Sequence, residues 1–122
     1  MRLVLFVAMI FLSGACSPAM TRRMNAVALI TSTALLACDA GQTMRVAHAD
    51  WSGGRTEANP LMGATPGEAM VAGYFVGAIT LNGLAWLLTP ERYRAALPVA
   101  ITAVQADTVA LNYRDGLGPC GI

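Results

Sequence analysis

Residues 69–88, AMVAGYFVGAITLNGLAWLL, run for twenty residues with no charge and a single Asn. A helix of that length rises 1.5 Å per residue and crosses the ~30 Å hydrocarbon layer of a bilayer. A chain of 122 residues has too little other material to cover such a run in water, so the run dictates a membrane protein. The charged fraction agrees, at 12% against about 25% in soluble domains. All eight basic residues are Arg and the net charge is +1. Phosphate binding requires a basic face, which excludes nucleic acid. The partner that the composition demands is the lipid bilayer.

Two further spans follow from the same reasoning. From Met24 the chain reads NAVALITSTALLACDAGQTMRVA without Pro, a helix expected over about 24–47. Its Thr and Ser hydroxyls can return to the helix backbone. Ahead of the central run, Thr65-Pro66-Gly67-Glu68 offers a cap, a Pro for the first helical position and a capping-box acid, so the second helix is expected over 66–88. Thr89-Pro90-Glu91 repeats that signal for a last helix over 90–113, with a kink expected at Pro98. The fold class expected is all-α, a small helical membrane bundle of three to four transmembrane helices. Arg22, Arg23, Arg92 and Arg94 fall at one end of these spans, the end that the positive-inside rule keeps in the cytoplasm.

The fourth span is a matter of residues 1–20. One Arg, ten apolar residues (3–12) and Ser13-Gly14-Ala15-Cys16 have the pattern of a signal peptide. Leu12-Ser13-Gly14-Ala15-Cys16 is similar to a bacterial lipobox, which makes Cys16 a lipidation candidate, although the Leu stands one position too far from the Cys. A first transmembrane helix or an upstream extension competes with both. Met20-Thr21-Arg22-Arg23-Met24 has the pattern of a cytoplasmic N-terminus, and cleavage would carry its arginines out, so a retained or extraneous segment is preferred.

Counting helix rise gathers the polar residues at one depth. Asp39 lies roughly 23 Å along a helix starting near Met24, and Asp107 roughly 26 Å along one starting near Pro90. Both starts are on the Arg-rich side, so both acids reach the outer third of the bilayer. Gln42, Thr43, Gln105 and Asn112 are expected near that level, with the loop bearing His48, Glu57 and Asn59 emerging above them. Asn82 belongs to the opposite half. An acid in a bilayer helix costs about 2.5–3.5 kcal/mol at the centre and less toward the interface, so two of the chain's seven acids at one depth form a candidate site. Arg45 and Arg114 are within two turns as counter-ions. The plainer readings are structural glue between helices for Asp39 with Asp107, a solvated loop residue for His48, and an ordinary turn for Glu57-Ala58-Asn59-Pro60.

Ala69, Gly73 and Gly77 make a small-residue stripe that lets another helix approach, either within the chain or from a partner. Trp51, Trp86 and Tyr113 are expected at the membrane interfaces. The three cysteines form no C-x-x-C pair and cannot all pair within one chain. Cys38 is expected as a small buried side chain, and Cys120 as a free thiol in a loose tail.

The spacing Asp39-x-x-Gln42-Thr43, followed by Glu57-x-Asn59-Pro60-x-x-Gly63 and Pro66, resembles a family of small, uncharacterised bacterial and phage multi-span membrane proteins. The resemblance covers the chain from about Met24 onward, implies several transmembrane helices in a bacterial inner membrane, and carries no chemistry or cofactor with it. Three functions are in play. One is a structural or accessory protein docking through the Gly73/Gly77 face to a larger membrane partner or to itself. Another is a membrane-embedded metal-dependent enzyme or ion or proton site using Asp39 and Asp107, since carboxylates with imidazole suit a hard or borderline divalent ion. The last is a phage-type lysis or envelope protein. No H-E-x-x-H, nucleophile elbow or phosphate loop occurs in the sequence.

Overall fold

The computed structural model describes residues 17–120. Residues 1–16 of the signal-like segment, with the lipidation candidate Cys16, lie outside the described residues, while 17–20 belong to the start of the first helix. Within them the protein is all-helical, and three helices are long and apolar enough to cross a membrane.

Helix α1 spans Pro18–His48, α2 spans Glu68–Leu88 and α3 spans Ala96–Asn112. α1 begins six residues before the expected start. Ser17 is its N-cap, with Oγ accepting from the Met20 N–H, and Pro18 stands where its missing N–H costs nothing. At 31 residues it is about 46 Å long, so both ends reach beyond the hydrocarbon. The cap expected at Thr65 is not used: Gly67 is the N-cap of α2, without a side-chain bond. The expected start at Thr89-Pro90 is also corrected. Thr89 closes α2, its N–H and hydroxyl both reaching the Ala85 carbonyl. A 3-10 turn, Glu91–Tyr93, then leads into α3. Pro98 is therefore in the first turn of α3, among N–H groups that have no helical partner anyway. No kink is required there. After Asn112 a wider π turn, Tyr113–Leu117, ends the helix as Gly116 takes φ +82.

α1 is the central helix. α2 and α3 each pack along it and meet each other far less. Its buried residues include Asn25, Ser32, Asp39, Gln42 and Thr43, while Val27 and Ile30 are exposed. That inversion is what a bilayer imposes: a polar group is cheaper between helices than against lipid. The apolar core is Leu36 of α1, Met62 of the loop, and Val71 and Phe75 of α2.

Polar ties seal the Arg-rich end. Arg22 pairs with Glu91 at 3.1 Å, and Asn25 Nδ2 donates to the Glu91 carbonyl at 2.8 Å. Trp86 Nε1 donates to the Asn25 carbonyl, and Arg94 stacks over its ring. Deeper in, Asn82 Nδ2 donates to Ser32 Oγ at 2.8 Å.

The cysteine expectation is overturned. Cys38 and Cys120 form a disulfide. Residues 117–120 are no loose tail but a strap running back along α1. Arg45 Nη1 donates to the Leu117 carbonyl at 2.7 Å, Gln42 Nε2 to the Gly118 carbonyl at 2.9 Å, and Cys38 holds Cys120. These α1 residues are spaced three and four apart, which is one face of a helix. Gly118 has to be glycine: its φ is +71, and a Cβ would stand 2.9 Å from Arg45 Nη1.

Candidate functional site

The candidate site lies at the end of the bundle opposite the arginine pairs. Asp39 is 7% exposed, and its Oδ1 accepts from Asn112 Nδ2 at 3.1 Å. One turn on, Gln42 is fully buried and donates to the strap at Gly118, with a longer 3.5 Å contact to the Val109 carbonyl. Its Oε1 is buried and has no hydrogen-bond partner among the described residues. Thr43, also buried, lines the same pocket as Asp39 and Asn112.

The loop forms the roof. Asp50 and Trp51 both take positive φ, which turns the chain sharply after α1. Trp51 is 9% exposed, and its Nε1 donates to the Pro66 carbonyl at 2.9 Å. It is thus an anchor packed with Val46 and Leu117, not the interfacial marker expected of it. In the Glu57-x-Asn59-Pro60 motif each side chain serves its own turn. Glu57 Oε1 accepts from the Asn59 N–H at 2.8 Å, Asn59 Oδ1 accepts from the Leu61 N–H at 3.0 Å, and the Glu57 N–H closes on the Ala64 carbonyl. Arg55 Nη2 donates to the Asp115 carbonyl at 2.8 Å, tying the loop to the end of α3.

Between α1, this loop and α3 is a pocket of about 530 Å³. Asp39, Glu57 and Asp115 bring carboxylates to its wall and Arg55 brings a guanidinium, with Thr43, Thr108 and Asn112 as neutral polar groups. Among the described residues no group of three or more His, Cys, Asp or Glu converges to hold a metal ion. The arrangement can receive a polar or cationic group, and most of its hydrogen bonds join one chain segment to another.

Of the nine residues expected in one cluster, Asp39, Thr43, Glu57 and Asn112 line this pocket. Gln42 is next to it on the strap side, and Asn59 is in the turn behind Glu57. Three expectations are corrected. Asp107 is exposed and does not line the pocket, because the stripe of α3 that does is Thr108, Leu111, Asn112 and Asp115. At about 100° per residue Asp107 points well away from Asn112. His48 is outside as well, paired with Glu68 at 2.9 Å where both side chains are mostly exposed. Gln105 lines a different, apolar groove between α2 and α3.

Sequence reasoning missed Arg55, Asp115, the burial of Trp51 and the Cys38–Cys120 pair. A signal for the last was present: setting aside Cys16 in the signal-like segment leaves an even pair.

Comparison with protein-family models, with curated proteins and with solved structures found no match. The family resemblance therefore stands on the Asp39-x-x-Gln42-Thr43 and Glu57-x-Asn59-Pro60 motifs alone.

Proposed function

We propose that this protein is a structural or accessory component of a bacterial cytoplasmic membrane, carrying its polar end on the outer face and docking to other membrane protein within the bilayer. The observation that carries this reading is how the polar residues are engaged. Asn112 bonds Asp39, Gln42 and Arg45 hold the strap, Arg55 holds the end of α3, and Trp51 holds the start of α2. These are the contacts of a scaffold.

Two independent considerations support the orientation. Among the described residues Arg22, Arg23, Arg92 and Arg94 belong to one end, and Arg45, Arg55 and Arg114 to the other. The positive-inside rule counts Arg and Lys, four against three, and so favours the first end as the cytoplasmic one. Disulfides persist in oxidising compartments, and Cys38–Cys120 belongs to the second end. A C-terminal reporter that folds only in an oxidising compartment is expected to be active, and a silent reporter counts against this orientation. For the accessory role, mild solubilisation and mass spectrometry of the intact assembly should recover the protein with further protein bound. Recovery only as a single chain with lipid would overturn the reading.

A second reading, an ion site, draws on the pocket carboxylates. Its metal-dependent form built on Asp39 with Asp107 loses its second ligand, since Asp107 is exposed away from the pocket. What favours a simpler cation site is that Asp39, Glu57 and Asp115 all line one cavity, although among the described residues they do not form a group that could hold a metal ion. Titration with divalent cations or small amines, read as a change in Trp51 fluorescence that Asp39→Asn abolishes, tests it. No response in the wild type would end that reading.

A further inference from the structure

Arg22, Arg23, Arg92 and Arg94 stand where α1 starts, α2 ends and α3 starts, and among the described residues the one acid of that end is Glu91. Two of the arginines build the end. Arg22 pairs with Glu91 at 3.1 Å. Arg94 Nε donates to the Thr89 carbonyl at 2.9 Å, with its guanidinium 5.1 Å from the centre of the Trp86 ring. With Glu91 taken, the other two are uncompensated. Arg23 and Arg92 are both exposed, and among the described residues neither makes a hydrogen bond or an ion pair. The Arg92 guanidinium lies 4.7 Å from the Tyr93 ring centre, a cation–π contact that positions a cation without neutralising it.

Depth decides what meets these charges. Arg23 comes three residues before the largely apolar stretch 26–38 of α1, and Arg92 four residues after Leu88, the last of α2. Leu87 and Leu88 are 60% and 83% exposed, so the same end presents bare apolar surface close to its cations. Trp86 and Tyr93 belong to it as well, the residue types that settle at headgroup level.

We propose that this end is a binding surface for anionic phospholipid, with headgroup phosphates at Arg23 and Arg92 and acyl chains over Leu87 and Leu88. A guanidinium offers phosphate a planar fork of donors, and basic residues at the ends of membrane helices attract anionic headgroups. A free phosphate or an acidic peptide meets the cations but leaves the leucines uncovered. A zwitterionic lipid covers the leucines but brings its own cation. An anionic phospholipid joins the two complements at one depth. The opposite end does not repeat the arrangement. There Arg45 and Arg55 are committed to the Leu117 and Asp115 carbonyls, in a region that also contains Asp50, Glu57 and Asp115.

The inference goes beyond the accessory reading and holds whether or not a second protein is bound. The test is native mass spectrometry of the full chain in mild detergent, with phosphatidylglycerol or phosphatidylcholine of the same acyl chains added. Phosphatidylglycerol is expected to be retained at the lower concentration, and less so as salt is raised. Arg23→Gln and Arg92→Gln should each weaken its binding roughly five-fold and leave phosphatidylcholine unchanged. Arg92→Lys, which keeps the charge, should retain most of the binding. Arg114→Gln removes the same charge from the opposite end and should change nothing. Helical circular dichroism and an intact Cys38–Cys120 disulfide confirm that each variant is folded. Equal retention of the two lipids overturns the proposal. So does indifference to Arg23→Gln with Arg92→Gln, or an equal loss from Arg114→Gln. Inorganic phosphate that displaces the lipid better than chloride at the same ionic strength marks a free-anion site and overturns the lipid assignment.

Discussion

The seam between α1 and α3 and the seam between α2 and α3 each contain a glutamine, fully buried in the first and half-buried in the second, and the two are treated differently. In the first, Gln42 reaches the Gly118 carbonyl and the chain's own strap covers it. In the second, Gln105 reaches nothing among the described residues and the groove beside it is open. A buried amide inside a bilayer has to be bonded by something. Where the chain supplies the bond, the residue is part of the fold.

The largest effect that sharpens this contrast comes from the closed seam. Cys38→Ser or Cys120→Ser releases the strap and opens a loop of 82 residues, for which a loss of about 2–5 kcal/mol is expected. Thermal unfolding in mild detergent, compared with the reduced wild type, measures it. Gln42→Leu comes next. It removes the bond to Gly118 and leaves that carbonyl in an apolar setting, at a cost of about 1–3 kcal/mol. Gln105→Leu should cost less or stabilise, because among the described residues that side chain has no hydrogen bond to lose. If both variants lower stability equally, the two seams are not distinct. The smallest effect lies outside both. Arg22→Ala removes an ion pair whose partners are 74% and 43% exposed, and should cost a few tenths of a kcal/mol, fading in high salt.

Much of the fold was legible because membrane spans are written in consecutive residues. The uncharged run 69–88 and the polar interruption at Asp39 both lie where the sequence puts them, and the two starts on the Arg-rich side do face each other through Arg22 and Glu91. Helix rise gave depth only roughly: the residue of α3 that meets Asp39 is Asn112, five residues beyond Asp107. Azimuth was not legible at all: Asp107 is on the wrong face, and a shift of one residue turns a side chain by about 100°. Caps were misread for a related reason. Ser17-Pro18 and Thr65-Pro66 look alike as dipeptides, yet only the first caps a helix, while the Pro66 carbonyl is taken by Trp51 from fifteen residues away. The strap's hydrogen bonds, unlike its cysteine pair, were invisible because their partners are more than seventy residues apart, a separation that no local pattern encodes.

The inverted polarity of α1 also bears on the order in which the protein comes into being. α1 is made before the helices that satisfy it. When it meets the bilayer, Asn25, Ser32, Asp39 and Gln42 have no Glu91, Asn82, Asn112 or Gly118 to bond, and an intramembrane acid alone costs about 2.5–3.5 kcal/mol at the centre of the layer. Its partners arrive with α2 and then with α3 and the strap, so integration is completed from the far end of the chain. A chain ending at residue 64, before α2, should be released from membranes by alkaline extraction to a greater extent than the full chain. The disulfide then acts as the last step of biogenesis, locking in place the first of the described helices.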